Sequence, residues 1–533
     1  MALPKLPKGQ YPSGHTADDF ECFGPPATKD GDFSDAMIAD LGCFKQDGTD
    51  TNKYYHGAVV KSKKTGDYYA YFQWGRTGSG GGDIQFYGPG SKEAAHKAFA
   101  SQVSKKNDKR GEWVTIAGHE VLRAKPGKDC YLVRPAAKRV VGLPDATKIV
   151  HDDSIAKKKT TKKKTRKKKA SASFDPQTIA LMRDMNTGTI SYAKKSIEGG
   201  HIPTQEAIDK VRDLLSEAQS RVGKIGTDDV SVQSQDRDLR ELTSMVYSMV
   251  PKVKRFGAPE NEWILTSGNI QQWRFDCDAF ENALHAIDLG DEVETNPFEG
   301  HDIEMKYMPE DTLEGHFIKE WMPKASANRH RHVGDMRIHN MWAFRHVKNY
   351  SRFAESLKDI KAGRSPERAA FQPASRDDLS ATEAKTYKSS NVAMLFHGTR
   401  SVNVPGIIRE GLRLPKQLVG VVITGAMFGP GIYWADDWRK SDGYTSRPGT
   451  YYSNGDGGVK GRKAFMFIAD VALGKPHLAP GPRGYTAPPS GHHSVFGKAG
   501  YSRVVNNEWI VYKAPQINLR YLVEYDTVRG SRY

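Results

Sequence analysis

Three residues in the last third of the chain have types and settings from which a catalytic cleft can be built. His397 lies in Leu395-Phe396-His397-Gly398-Thr399-Arg400, Tyr433 in Gly429-Pro430-Gly431-Ile432-Tyr433-Trp434-Ala435-Asp436, and Glu508 in Asn507-Glu508-Trp509-Ile510-Val511-Tyr512. Each sits where an apolar strand pattern meets glycines or polar residues, which is where a sheet presents side chains to a cleft. A carboxylate can stabilise developing positive charge and polarise an attacking hydroxyl. An imidazole can give or take a hydrogen bond near neutral pH, and a tyrosine can stack on a flat ring. The same residues have plainer uses: a carboxylate in a salt bridge, a histidine beside a strand, a tyrosine in a core.

The elements that must carry these residues are short strands. Ala464-Phe465-Met466-Phe467-Ile468-Ala469 and Trp509-Ile510-Val511-Tyr512 alternate with Gly- and Pro-rich loops, and residues 474–508 read mostly as loop. Residues 299–533 are therefore expected to form a mixed α/β domain. Before them, Ile208, Val211, Leu215, Ala218 and Val222 recur at helical spacing, as do Leu239, Leu242, Val246, Met249 and Val250 before Pro251. Phe280, Leu284 and Ile287 predict one more helix, so residues 173–298 read as an all-α bundle.

Residues 35–140 read as strands. Tyr54-Tyr55-His56-Gly57-Ala58-Val59-Val60 and Asp67-Tyr68-Tyr69-Ala70-Tyr71-Phe72-Gln73-Trp74 flank the turn signal Lys64-Thr65-Gly66 and predict a hairpin. Ser91 is placed as the N-cap of a short helix. Residues 1–34, with closely spaced Pro and Gly, are expected to be a disordered lead. The fold class is multidomain α+β.

The formal charge of +16 over 533 residues is uneven. Residues 157–169 hold ten Lys and Arg and no acid, so residues 141–172 are read as a solvated basic linker suited to nucleic acid or nuclear import. No apolar run approaches the roughly 18 residues of a membrane span. The N-terminus lacks the apolar core of a secretory signal, so an intracellular protein without a membrane partner is expected. Cys22, Cys43, Cys130 and Cys277 form no CxxC pair, so no zinc module is written and no metal is expected. No GxGxxG precedes a helix, which disfavours a Rossmann dehydrogenase.

Six segments in order, LFHGTR, GIIREGLRLP, TGAMFGPGIYWAD, KSDGYT, GHHSVFGK and NNEWIVY, resemble the catalytic domain of the poly(ADP-ribose) polymerases. The resemblance implies an ADP-ribosyltransferase fold and an enzyme that consumes NAD+ as substrate without a metal. It implies that His397, Tyr433 and Glu508 are the catalytic triad. His397 would hold a ribose hydroxyl of the adenosine half, Gly398 the carboxamide through its backbone, and Thr399 an added hydroxyl contact. Arg413 would lie on the adenosine side, and Lys440 beside the reacting sugar. Tyr433 and Tyr444 would sandwich the nicotinamide, Ser441 would bond its carboxamide oxygen, and Met427 would line the acceptor side.

Gln73-Trp74-Gly75-Arg76-Thr77-Gly78, with YYHGAVV and SKEAAHKAF in order, resembles the WGR domain. That likeness implies DNA with strand breaks as partner, Trp74 stacking on a sugar or base and Arg76 meeting a phosphate or a neighbouring domain. Over residues 30–150 Lys and Arg exceed acids by only five, so DNA affinity would lean on the linker and fall with salt. The helical segment resembles the family's regulatory domain. The expected protein is a nuclear, DNA-break-activated transferase that forms poly(ADP-ribose) on itself and on chromatin or repair proteins. Its alternatives are a transferase that adds one ADP-ribose and a DNA-end-binding scaffold with weak activity.

Overall fold

A computed structural model describes residues 3–22, 24–45, 51–77, 82–107, 109–116, 118–134, 174–197, 202–227, 229–253, 262–289, 298, 302–326, 328–363, 367, 379–414, 427–447, 450 and 463–528. The linker 141–172, with its basic run, lies outside the described residues, as do Gly78 and the TGA that opens the third segment. The chain is multidomain α+β and divides into two units, Met1–Lys168 with Lys194–Cys277, and Lys169–Ala193 with Asp278–Tyr533. Among the described residues no helix is long and apolar enough to cross a membrane.

The first unit is built on β1 (Phe20–Cys22), β2 (Ile38–Lys45), β3 (Thr51–Ser62), β4 (Tyr68–Arg76), β5 (Asp83–Gly90), β6 (Gly111–Ile116), β7 (His119–Ala124) and β8 (Leu132–Val133). The sheet runs β5-β4-β3-β2-β8 with β1 paired to β3, and β6-β7 stand apart as a hairpin. The β3–β4 hairpin closes at Gly66, whose φ of 79° only glycine adopts readily. Ser91 caps the helix Lys92–Ser104 by accepting from Ala94 N, and Ala95, Phe99 and Val103 of that helix are buried.

The lead is packed, not disordered. Leu6 N donates to Phe86 O and Gly9 N to Ile84 O, so the first residues run along β5. Phe20, Ala27, Phe33 and Ala36 are buried. Isolated apolar residues between Pro and Gly have no period for a sequence pattern to detect, yet each finds its own socket. The stretch 474–508, expected to be mostly loop, also holds two strands too short to show alternation, β14 (Pro476–Leu478) and β15 (Ser494–Gly497).

Helices Gln205–Ile225 and Arg237–Met249 bury the predicted faces. Within this unit the second of them meets β2 closely. Phe44 N, beyond the short β8 pairing, donates to Ser248 Oγ at 2.8 Å, and Arg134 Nε donates to Ser248 O at 2.7 Å. Phe44 stacks on Tyr247 at 4.6 Å, and Arg123 grips Glu241 with two hydrogen bonds. The approach requires Gly42, because a Cβ there would lie 2.3 Å from Ser248 O.

The second unit contains β9 (Ile303–Tyr307), β10 (Asp335–His346), β11 (Val392–Gly398), β12 (Ile432–Trp434), β13 (Ala464–Ala472), β16 (Glu508–Val511) and β17 (Ile517–Val528), besides β14 and β15. One sheet runs β11-β13-β17-β10-β9 and the other β12-β16-β15-β14. All nine residues of β13 are buried, as the apolar run Ala464–Ala469 predicts for its first six, and the buried set extends past it to include Asp470. The sheets are joined where Phe396 and Ala435 exchange backbone hydrogen bonds of 2.8 and 3.1 Å.

Gly42→Ala is expected to cost roughly 1–3 kcal/mol through overpacking against Ser248. Calorimetric melting should show the loss in the first unit. Gly268→Ala is the control, since among the described residues outside its own helix backbone a Cβ there would meet nothing nearer than Thr266 Oγ1 at 4.0 Å, and it should melt like the parent.

Candidate active site

Strand β11 ends on His397 and Gly398 at the junction of the two sheets. His397 Nδ1 lies 3.1 Å from Tyr433 O, so the β11 histidine is bonded directly to β12. A carbonyl can only accept, which places the ring hydrogen on Nδ1. Burial, with a smaller contribution from the Lys440 cation, lowers the imidazole from its ordinary 6.5 to about 4. The ring is therefore neutral at physiological pH, and Nε2 is left as an acceptor, suited to a ligand hydroxyl.

Gly398 permits an approach that no other residue would. A Cβ on it would lie 1.8 Å from Ser441 O, so the helix Trp438–Asp442 rests directly on the strand end. Thr399 is buried beside it, and its Oγ1 accepts from Asn403 Nδ2 at 3.5 Å. Ser441 is buried with its Oγ donating to Phe396 O at 3.2 Å. To donate to a ligand carboxamide oxygen, that hydroxyl must rotate away from Phe396.

Tyr433 is fixed through its hydroxyl, which accepts from Phe428 N at 2.8 Å and donates to Gly429 O at 2.9 Å. Burial raises its phenol far above the ordinary range. The loop that receives it depends on Gly429, at a φ of 87° and with no room for a Cβ 1.9 Å from Tyr485 O. Met427, at the edge of this loop, is exposed.

Glu508 opens β16, whose Ile510 pairs with Tyr433 of β12. Its Oε2 accepts from Lys440 Nζ at 2.6 Å, with both side chains largely buried. The same ammonium lies 5.6 Å from the centroid of the Tyr444 ring. One short helix thus sets Lys440 against Glu508 and Ser441 against Gly398, with Tyr444 following. Oε1 of Glu508 has no partner among the described residues.

Arg413 is engaged elsewhere. Its Nη1 donates to Glu281 Oε2 at 3.1 Å and its Nη2 to Glu410. Glu281 belongs to the helix Ser267–Leu289, and Asn282 next to it donates to Val402 O. Sequence reasoning assigned these helix residues no role, and in a helix with many polar side chains nothing in the pattern singles them out.

Trp74 and Arg76 belong to the first unit. Trp74 is half-buried with its ring stacked on Tyr55 at 6.0 Å, and Lys8 Nζ stands 5.6 Å from its centroid. Arg76 is exposed at the end of β4, opposite Lys53.

The second-unit arrangement offers a hydroxyl acceptor, an aromatic wall, a buried hydroxyl and a carboxylate held by an ammonium. Among the described residues no group of three or more His, Cys, Asp and Glu is placed to hold a metal ion.

Residues 346–527 match the poly(ADP-ribose) polymerase catalytic domain, and residues 43–117 match the WGR domain. The chain is 22% identical over 518 residues to poly [ADP-ribose] polymerase 1 of Xenopus laevis, covering 89% of this chain and 44% of that protein. It is 31% identical over 173 residues to that of Gallus gallus, covering 27% of this chain and 16% of the relative. For Arabidopsis thaliana the figures are 30% over 165 residues, 26% and 16%. The chain spans less than half the length of these relatives. The chain therefore contains a poly(ADP-ribose) polymerase catalytic domain and a WGR domain, and is homologous to poly [ADP-ribose] polymerase 1 over most of its length.

Proposed function

We propose that the protein is an NAD+ ADP-ribosyltransferase, activated by DNA breaks, that builds poly(ADP-ribose) on itself and on other nuclear proteins. The observation that carries this reading is the contact of His397 with Tyr433 at one side of the sheet junction and of Lys440 with Glu508 at the other. In this reading Nε2 of His397 accepts a ribose hydroxyl of the adenosine half. Gly398 and Ser441 hold the carboxamide while Tyr433 and Tyr444 enclose the nicotinamide, and Thr399 adds a contact. Cleavage of the nicotinamide–ribose bond leaves positive charge on the sugar, and the Glu508 carboxylate stabilises it. The same carboxylate then polarises the acceptor hydroxyl that attacks the sugar from the side lined by Met427.

The bond between Arg413 and Glu281 supports a shielded resting state, because the arginine assigned to the adenosine side is held by a residue of the helical segment. Release of that bond would be one of the contact differences that a switch between two states requires. Trp74 and Arg76 would make the DNA contact. The Trp74 ring has one face on Tyr55, so stacking on a sugar or base would use the other.

The decisive experiment is incubation of the full chain with labelled NAD+, with and without nicked DNA. A ladder dependent on DNA is expected. A single labelled band would favour a one-unit transferase, and no label would leave the scaffold. Glu508→Gln should abolish chain growth and leave NAD+ binding nearly intact, measured by calorimetric titration; long polymers from this variant would refute the role of Glu508.

The low pKa of His397 sets a pH prediction. The folded protein resists protonation down to about 4, whereas the unfolded chain takes up the proton near 6.5. This contribution to stability is complete above about 6.5 and is lost as pH falls toward 4. NAD+ affinity should accordingly lack an inflection between pH 5.5 and 7.5 that disappears in His397→Ala; an inflection near 6.5 tied to His397 would count against the neutral acceptor (roughly one unit of proton linkage).

A further inference from the structure

Asp436, at the end of the GPGIYWAD segment, has no part in the chemistry described so far, yet it holds both neighbours of Glu508. Its Oδ2 accepts from Asn507 Nδ2 at 2.9 Å and from Trp509 Nε1 at 3.2 Å. The carboxylate is buried. Successive side chains of a strand leave on opposite faces, so 507 and 509 share one face while 508 takes the other. A single acceptor behind both flanks fixes the rotation of the strand start about its own axis, and with it the direction in which Glu508 departs.

The surrounding contacts make this anchor firm. Asn507 Oδ1 accepts from Ala499 N at 3.0 Å, so both ends of its amide are used. Trp509 stacks on Phe496 at 3.7 Å with the rings 10° from parallel. Asp436 itself follows Ala435, whose backbone is bonded to Phe396 beside His397. The carboxylate therefore refers Glu508 to the same junction that positions His397 and Tyr433.

We propose that Asp436 is a positioning residue for Glu508, acting through Asn507 and Trp509 to aim the catalytic carboxylate at the reacting sugar. The proposal rests on the role assigned to Glu508 above. A carboxylate that only fastened the sheet would affect stability and substrate affinity along with turnover, and its effect would not depend on Glu508.

The test is steady-state nicotinamide release from NAD+ by the full chain with nicked DNA, comparing the parent with Asp436→Ala, Asp436→Asn, Glu508→Gln and the Asp436→Ala/Glu508→Gln pair. Misaiming a catalytic group should lower kcat of Asp436→Ala roughly 10–100-fold while KM changes far less. Asp436→Asn keeps an oxygen that can accept from both donors and should retain most of the turnover. In the Glu508→Gln background the alanine should add no further loss, because it then has no carboxylate to aim.

Independent, multiplicative losses in the double variant would overturn the proposal, as would a KM that rises in step with the fall in kcat. Parental turnover in Asp436→Ala beside a defective Glu508→Gln would overturn it while leaving the Glu508 assignment standing. Parental turnover in Glu508→Gln would instead remove that assignment and the proposal with it. Should Asp436→Ala fail to fold, Asn507→Ala removes one tie and keeps the other; it should show the same kcat-selective loss at smaller size, and an unchanged kcat overturns the proposal.

Discussion

The candidate site depends on one short piece of backbone pairing. Strand β11 belongs to the five-stranded sheet, yet at Phe396 it also exchanges two hydrogen bonds with Ala435, just past the end of β12 in the other sheet. Buried backbone groups need partners, so this pair holds the two sheets at a fixed separation where their ladders part. His397, Tyr433 and Glu508 all lie within a few residues of that point or on a strand paired to it. His397 follows Phe396, Tyr433 precedes Ala435 by two residues, and Glu508 opens the strand that pairs with β12. Gly398 and Gly429 are the steric conditions of the arrangement, because each leaves no room for a Cβ against a neighbouring carbonyl.

Electrostatics divides the cleft into two ends without a net clash of charge. Two ionised groups buried together carry a desolvation cost that only good geometry offsets, and the 2.6 Å contact of Lys440 with Glu508 provides it. The ammonium then disfavours a second cation nearby, which reinforces the effect of burial in keeping His397 neutral. One end consequently presents an acceptor and the other a carboxylate that is already oriented. Preorganisation of this kind matters more for catalysis than the strength of any single contact, since the fixed groups need not reorient as charge develops.

Much of this was legible in the chain, for identifiable reasons. The β3–β4 hairpin declared itself by aromatic and β-branched residues around Lys64-Thr65-Gly66, and the helix Gln205–Ile225 by an apolar stripe of period 3.6. His397, Gly398 and Tyr433 could be singled out because glycines and small polar residues interrupt apolar strands there, whereas Ser441, on a short helix, was named only through the family resemblance of its segment. The packed lead was not legible, since Leu6, Phe20 and Phe33 dock singly and leave no periodic trace. Nor was the meeting of β2 with the helix Arg237–Met249 within the first unit, which rests on Gly42 and Ser248, two small residues about two hundred positions apart.

The least legible features are the long-range polar ties, and their invisibility has a physical cause. A hydrogen bond such as Arg413 to Glu281 joins residues 132 positions apart, and neither composition nor period encodes such a pairing. Ser441 illustrates the point from the other side. Its type and neighbours indicate a ligand contact, but only the folded chain reveals that its hydroxyl is already committed to Phe396 O, the carbonyl of the residue that joins the two sheets. A ligand that recruits Ser441 must therefore compete with a bond to the junction itself. Under the ligand role proposed for Ser441, binding and the geometry of the sheet junction would be coupled through that one hydroxyl, as strongly as the difference between the two hydrogen bonds it can make.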